Sequence, residues 1–102
     1  MIYCFDLDGT LCTHVKDYSE ASPFLERIKE VNLLYDQGHT IIIDTARGST
    51  TGIDWYDITL TQLNSWGLKF HTLRAGIKIT ADLYIDDKAI KDLDFFNKNK
   101  LK

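Results

Sequence analysis

Residues 1–10, MIYCFDLDGT, decide the fold class of this chain because an apolar run ends there in two carboxylates. Residues 2–5 are continuously apolar, which is typical of a strand that is covered on both faces of a parallel sheet. Asp6 and Asp8 follow this run, and Gly9 then permits a tight turn. The sequence therefore predicts a buried first strand that carries two acids at its carboxyl end.

The rest of the chain alternates runs that have the composition of strands with segments that have helical spacing. Three more short apolar runs predict strands, at residues 40–43, 68–73 and 83–85. Apolar residues at helical spacing predict helices over residues 23–37, 54–66 and 87–97. This alternation predicts an α/β fold with three αβα layers, Rossmann-like, around a mainly parallel sheet. In such a sheet, ligands bind beyond the carboxyl ends of the strands.

Length and composition limit the kind of protein. The chain has 102 residues, 44% of them hydrophobic, which predicts a single domain over residues 1–102. The net charge of -3 argues against general nucleic-acid binding and membrane-surface binding, which need excess basic charge. The sequence shows no signal peptide and no apolar run that could span a bilayer, so we expect a cytoplasmic protein. Two cysteines are too few for a disulfide scaffold, and Cys4 is expected to be buried.

Several polar residues follow the predicted strands and would meet at one edge of the sheet. They are Asp6, Asp8, Asp44, Thr45, Arg47, Asp86 and Asp87. Carboxylates that gather at one place repel one another unless a cation lies between them. Oxygen ligands of this kind suit Mg²⁺, which the sequence therefore predicts as a cofactor.

Residues 6–11, DLDGTL, resemble the first motif of the haloacid dehalogenase (HAD) superfamily, most of whose members are phosphatases. The run that ends in Thr45 resembles the second motif, and residues 84–89 resemble the fourth. Residues 78–87 are similar to a stretch of small uncapped members, among them capsule-biosynthesis phosphatases, which usually carry proline where this chain has Ile79. The resemblance spans nearly the whole chain and implies a HAD-like phosphatase core without a cap domain.

The resemblance also implies roles for the residues of the first two motifs. Asp6 would attack phosphorus in line, form an aspartyl-phosphate and bind Mg²⁺. Asp8 would protonate the leaving oxygen and then take a proton from water, and its backbone carbonyl would bind the metal. Gly9 and Thr10 would belong to the turn that binds the phosphate. Thr45 would donate a hydrogen bond to a phosphoryl oxygen.

More than one residue could supply the positive charge of the predicted site. Lys78 is expected to neutralise the nucleophile and the phosphate, as a lysine does in the superfamily, and Lys88 and Arg74 are the alternatives. Arg47 would either clamp a second anionic group of the substrate or form a surface salt bridge.

The acids of the fourth motif would contribute to the metal site. Asp86 is expected to bind Mg²⁺. Asp87 has two interpretations, because it would either bind the ion, directly or through water, or cap the helix that is predicted to follow.

Together these features predict a Mg²⁺-dependent phosphomonoester hydrolase that acts on a phosphorylated substrate. The loops over residues 12–21 and 48–53 would choose the substrate, and sugar phosphates, nucleotides, phosphoproteins and nucleic-acid 3′ ends remain open. By resemblance, uncapped enzymes act on large substrates or use a neighbouring subunit to close the site, so a homo-oligomer is one expectation. The alternatives are an inactive binding or regulatory domain that keeps the metal site, and a phosphotransferase, which differs in its acceptor.

Overall fold

A computed structural model describes residues 1–97, and within them three parallel strands form one sheet. The strands are β1 (Ile2–Phe5), β2 (Thr40–Thr45) and β3 (Thr72–Ala75), in the order β1-β2-β3. The register places Phe5 opposite Ile43 and Ile43 opposite Leu73. These three apolar side chains form a buried row across the sheet. The row connects all three strands through one hydrophobic core.

Helices follow the first two strands along the chain. The helices of the described residues are α1 (Leu25–Asp36), α2 (Tyr56–Ser65) and the short α3 (Asp92–Asn97), with a 3₁₀ turn at Tyr18–Glu20. Gly38 and Gly67 adopt positive φ angles of 94° and 73° just beyond α1 and α2. Glycine takes this left-handed conformation without strain, so it ends a helix efficiently. The predicted helices over residues 23–37 and 54–66 are therefore confirmed to within two residues at each end.

The observed order of elements confirms the predicted α/β class with its parallel sheet. Ile28 and Val31 of α1 and Leu63 of α2 are buried in the same core as the strand residues. Because parallel strands end at the same edge of the sheet, the segments that follow β1 and β2 lie together. That edge is where the predicted site residues are found.

The predicted fourth strand at residues 83–85 is wrong for this structure. The segment has no regular structure, and the Leu83 and Ile85 side chains are 78% and 95% exposed. Local hydrogen bonds hold it instead: the Tyr84 hydroxyl donates to the Ile79 carbonyl, and Asp86 accepts from the Lys88 N–H. Such side-chain-to-backbone bonds compete with strand pairing, and a three-residue run has few ladder bonds with which to oppose them.

Two other boundaries differ from the predictions for local reasons. The third strand begins at Thr72 and not at residue 68, because the Leu68 N–H donates back to the Leu63 carbonyl and closes α2. The third helix begins at Asp92 and not at residue 87, because residues 87–91 form a turn and irregular structure.

Within residues 1–97, β1 pairs only with β2, so its second edge is unpaired. Cys4 lies on the same face of β1 as Ile2, which is also exposed, whereas Phe5 lies on the buried face; the prediction that Cys4 is buried is therefore wrong. Cys12, in the turn after β1, is the buried thiol. None of the described helices is both long enough and apolar enough to cross a membrane.

The two thiols should differ in their reaction with iodoacetamide at about pH 8. Burial raises the pKa of Cys12 to about 12, helped by the neighbouring Asp8 carboxylate, so its thiol stays protonated and inaccessible until the protein unfolds. Cys4 is accessible but reacts slowly, because desolvation and the charge of Asp44 raise its pKa as well. Peptide mass spectrometry with and without guanidinium checks this. Alkylation of Cys12 in the folded protein would contradict the structure.

Candidate active site

The turn after β1 is closed by its own backbone hydrogen bonds. The Leu7 carbonyl accepts from the Thr10 N–H at 3.0 Å, and the Gly9 N–H donates to the Cys12 carbonyl at 2.8 Å. Gly9 adopts a φ of 83°, which a side chain would strain. In this arrangement the N–H groups of Gly9 and Thr10 are used within the turn, so their predicted contact with phosphate would require the turn to open.

Asp6 lies just beyond β1, and its side chain is 42% exposed. Its Oδ1 accepts from the Lys78 ammonium at 3.1 Å, and its Oδ2 accepts from the Thr10 hydroxyl at 3.4 Å. The Lys78 Nζ also lies 4.8 Å from the centre of the Tyr84 ring. The structure therefore combines an accessible carboxylate with an adjacent cation, the arrangement that a nucleophile toward a phosphate ester needs.

Among the three cations considered from the sequence, Lys78 is the one that the structure places beside Asp6. The Arg74 Nε lies 3.9 Å from Asp44 Oδ1, and Lys88 is an exposed residue of the turn near Asp86. Lys78 lies close to Asp6 because it belongs to the segment after β3, and β3 and β1 are parallel strands whose carboxyl ends lie at the same end of the sheet.

Asp8 is held by a buried arginine from the loop after β2. Arg47 Nε donates to Asp8 Oδ2 at 3.0 Å, and Arg47 Nη2 donates to Asp8 Oδ1 at 2.8 Å. The Arg47 side chain is fully buried, and the Asp8 side chain is 13% exposed. This is the fork-to-fork geometry in which an arginine fixes both oxygens of a carboxylate.

The remaining donors of Arg47 also have partners. Nη1 donates to the Thr59 hydroxyl at 3.1 Å and to the Gln62 Oε1 at 2.6 Å, and Nη2 lies 3.8 Å from the Cys12 sulfur. The five N–H groups of a guanidinium are thereby accounted for. The side chain has no donor left for a second anionic group of a substrate. Of the two interpretations of Arg47, the structure shows the salt bridge, in the interior and not at the surface.

Thr45 and Asp44 lie at the end of β2. The Thr45 side chain is buried, and its hydroxyl oxygen accepts from the Arg47 N–H at 3.2 Å, which leaves the hydroxyl proton free to be donated. The Oδ1 atom of Asp44 is buried and has no hydrogen-bond partner within residues 1–97. Thr45 is thus oriented by the same loop that holds Asp8.

The structure does not bring Asp86 and Asp87 to the other acids. Both residues are exposed. The pKa of Asp86 is lowered mainly by the hydrogen bond from the Lys88 N–H and to a smaller extent by a side-chain hydrogen bond with Asp87. No helix begins directly after Asp87, so the capping role is not seen either. Across residues 1–97, no three His, Cys, Asp or Glu side chains are arranged to hold a metal ion.

The described arrangement therefore does not fit a bound Mg²⁺. Both oxygens of Asp6 and both oxygens of Asp8 already accept hydrogen bonds from protein donors. The positive charge beside these carboxylates comes from Lys78 and Arg47. A magnesium ion would have to displace the lysine from Asp6 and recruit oxygens that lie elsewhere in this structure.

The residues that surround Arg47 were not among those predicted from the sequence. Thr59 and Gln62 come from α2, and the Tyr18 ring lies 4.7 Å from the arginine Cζ. One signal was available, because Thr59 lies one helical turn before the buried Leu63 and is therefore a polar residue on the buried face of α2. A polar group in such a position needs a partner.

Comparisons with known proteins support the fold. No protein-family model matches the chain, and no curated protein matches it. The crystal structure of an MCSG target from Vibrio cholerae is 26% identical, with a TM-score of 0.82 over 93% of this chain and 86% of that one. A chain of the Pnkp1/Rnl/Hen1 complex is 20% identical, with a TM-score of 0.59 over 92% of this chain. This chain spans 33% of that second chain, and the likeness shows the fold alone.

Proposed function

We propose that this protein is a HAD-like phosphomonoester hydrolase in which Asp6 is the nucleophile and Asp8 is the general acid and base. The observation that carries the proposal is the Asp6 carboxylate, 42% exposed at the carboxyl end of β1, with the Lys78 ammonium 3.1 Å away. Asp8 follows two residues later in the same turn. An accessible nucleophile, a cation and a second acid are the parts that phosphoryl transfer needs.

In the first half of the proposed reaction, an Asp6 oxygen attacks phosphorus and the bond from phosphorus to the leaving oxygen breaks. Asp8, which pairs with Arg47 in this structure, must carry a proton for this step; it gives that proton to the leaving oxygen, and the product alcohol departs. Lys78 offsets the negative charge on the nucleophile and the phosphoryl group. The Thr45 hydroxyl is buried in this structure, so it would have to be uncovered before it could donate to a phosphoryl oxygen.

In the second half, water attacks the phosphorus of the aspartyl-phosphate and gives its proton to Asp8. The bond between phosphorus and the Asp6 oxygen breaks, so that inorganic phosphate leaves and both carboxyl groups return to their starting states. The substrate class stays open, since the loops over residues 12–21 and 48–53 show no group dedicated to a particular ester.

The first test is release of phenol from phenyl phosphate, whose poor leaving group needs a proton from Asp8, by purified protein beside the Asp8→Asn variant. We expect release by the wild type and a loss of about 100-fold or more in Asp8→Asn, because general acid–base catalysis contributes at least this much. Asp57→Asn is the matched control, since Asp57 is exposed on α2 and should not affect the rate. Equal rates for the wild type and Asp8→Asn would contradict the proposal.

Dependence on Mg²⁺ is a separate prediction, which rests on the resemblance to the HAD superfamily. We expect EDTA to stop phosphate release and added Mg²⁺ to restore it, with Asp6, the Asp8 carbonyl, Asp86 and Asp87 as the proposed ligands. Since the described arrangement does not fit the ion, residues 79–91 would have to move for the ion to bind. Full activity in EDTA would show that Lys78 and Arg47 provide the charge that the reaction needs.

One observation favours a second candidate function, a domain that binds a phosphorylated ligand without turning it over. Both oxygens of Asp8 accept from the buried Arg47, which restricts the movement of the proposed acid. Such a domain would bind inorganic phosphate in calorimetry, would lose that binding in Lys78→Met, and would release no phenol from phenyl phosphate. Release that is lost in Asp8→Asn would exclude it.

A further inference from the structure

A chain of hydrogen bonds connects the loop over residues 13–21 to Asp8. The Gln62 Nε2 donates to the Tyr18 carbonyl at 2.6 Å, and the Gln62 Oε1 accepts from Arg47 Nη1 at 2.6 Å. Arg47 in turn fixes both oxygens of Asp8. A single glutamine amide thus joins the loop and the arginine, using its donor on one side and its acceptor on the other.

Contacts with several residues fix the orientation of the Arg47 guanidinium. The Thr59 hydroxyl and Gln62 hold one end of the guanidinium, and the Tyr18 ring stacks near its centre, 4.7 Å from Cζ. A guanidinium with all its N–H groups engaged cannot turn without breaking hydrogen bonds in a buried place, which costs free energy. Besides one long contact from the Cys12 thiol at 3.5 Å within the turn after β1, the Asp8 carboxylate is therefore directed by residues that lie outside that turn.

We propose that Arg47 is a positioning residue for Asp8, and that Gln62 holds Arg47 in place and couples it to the loop over residues 13–21. The inference rests on the proposed function, in which Asp8 transfers protons. Arg47 binds the Asp8 oxygens and acts through them, and Gln62 acts through Arg47 without contacting Asp8. A change at Gln62 should consequently affect the steps that need the Asp8 proton and leave the other steps nearly unchanged.

Two substrates separate these steps. The value of kcat/KM reports the reaction up to departure of the leaving group. Phenyl phosphate has a poor leaving group that needs a proton from Asp8, whereas p-nitrophenolate leaves without one. In Gln62→Leu we expect kcat/KM for phenyl phosphate to fall about tenfold or more, because a misplaced acid protonates the leaving group less well. For p-nitrophenyl phosphate we expect kcat/KM to fall less than about threefold, because its leaving group needs no proton.

Two further variants show where the effect comes from. Gln62→Glu keeps an acceptor for Arg47 Nη1 but loses the donor to the Tyr18 carbonyl, so it should recover the activity toward phenyl phosphate only in part. Gln37→Leu makes the same change of side chain at the exposed end of α1 and should leave both substrates unaffected. Equal losses for both substrates in Gln62→Leu, or no loss for either, would overturn the proposal.

A double-mutant cycle tests the same coupling without relying on activity, so failure of the proposed function is recognised separately. Gln62 and Asp8 share no hydrogen bond, but both bind Arg47. We expect the unfolding equilibrium constant of Asp8→Asn/Gln62→Leu to differ from the product of the single effects by at least about threefold, as residues in one network do. Additive effects would overturn the positioning chain, even in a protein that releases no phosphate.

Discussion

Replacing Asp6 by asparagine should abolish phosphate release while the protein stays folded. The amide keeps the size of the carboxylate and an oxygen for the Lys78 ammonium, but it cannot attack phosphorus. Removing a nucleophile from an enzyme that acts through a covalent intermediate costs roughly 10⁴- to 10⁶-fold in turnover. Because the Asp6 side chain is 42% exposed, the change should have little effect on the free energy of unfolding.

The measurement combines turnover with detection of the intermediate. Acid quenching during turnover, followed by peptide mass spectrometry, should find one phosphoryl group on the peptide that contains Asp6. The same peptide from Asp6→Asn should carry none. Asp57→Asn, an exposed change of the same kind, should keep both turnover and the labelled peptide. A label on another residue, or turnover by Asp6→Asn, would assign the nucleophile elsewhere.

The sequence predicted those parts of the fold that depend on local signals. Gly38 and Gly67 mark the ends of α1 and α2 because glycine adopts a positive φ without strain, whatever the rest of the chain does. The apolar runs of β1 and β2 became neighbouring parallel strands, although in β1 only Phe5 is buried. The placement of Lys78 beside Asp6 followed from the edge at which parallel strands end.

Features that depend on distant partners were not predictable in this way. Residues 83–85 have the composition of a strand, but a strand needs an edge to pair with, and local hydrogen bonds hold this segment elsewhere. Cys4 lies in an apolar run, yet it is on the face of β1 that stays exposed, together with Ile2. The composition of a segment indicates which secondary structure it favours, whereas its burial depends on which other parts of the chain pack on it.

Arg47 shows the same limit at the site itself. The fork of an arginine suits a phosphate as well as a carboxylate, so the residue type alone left both interpretations open. What decides between them is a set of partners far away in sequence, namely Asp8 before it and Gln62 after it. These partners hold Arg47 in the interior as the ion-pair partner of Asp8, so of the two open interpretations the salt bridge is the one seen.

The second large effect that we expect concerns stability. Arg47→Met should lower the free energy of unfolding by about 3–5 kcal/mol, the usual result of removing one partner of a buried ion pair. The loss leaves Asp8 with 13% exposure and without a counterion, and it leaves Thr59 and Gln62 without their donor. A domain of this size has a total stability of only about 5–15 kcal/mol, so unfolding in urea should shift to much lower concentration.

Two further variants separate the ion pair from a general loss of packing. Arg74→Met changes an arginine whose side chain is 48% exposed and whose Nε lies 3.9 Å from Asp44, so it should cost less than about 1 kcal/mol. Asp8→Asn/Arg47→Met removes both charges and should be destabilised by less than the sum of the two single variants, because neither charge is left alone in the interior. If the effects were additive, Arg47 would contribute by its bulk alone. A smaller combined loss would mean that the charge pair between Asp8 and Arg47 holds the turn after β1 to the loop after β2.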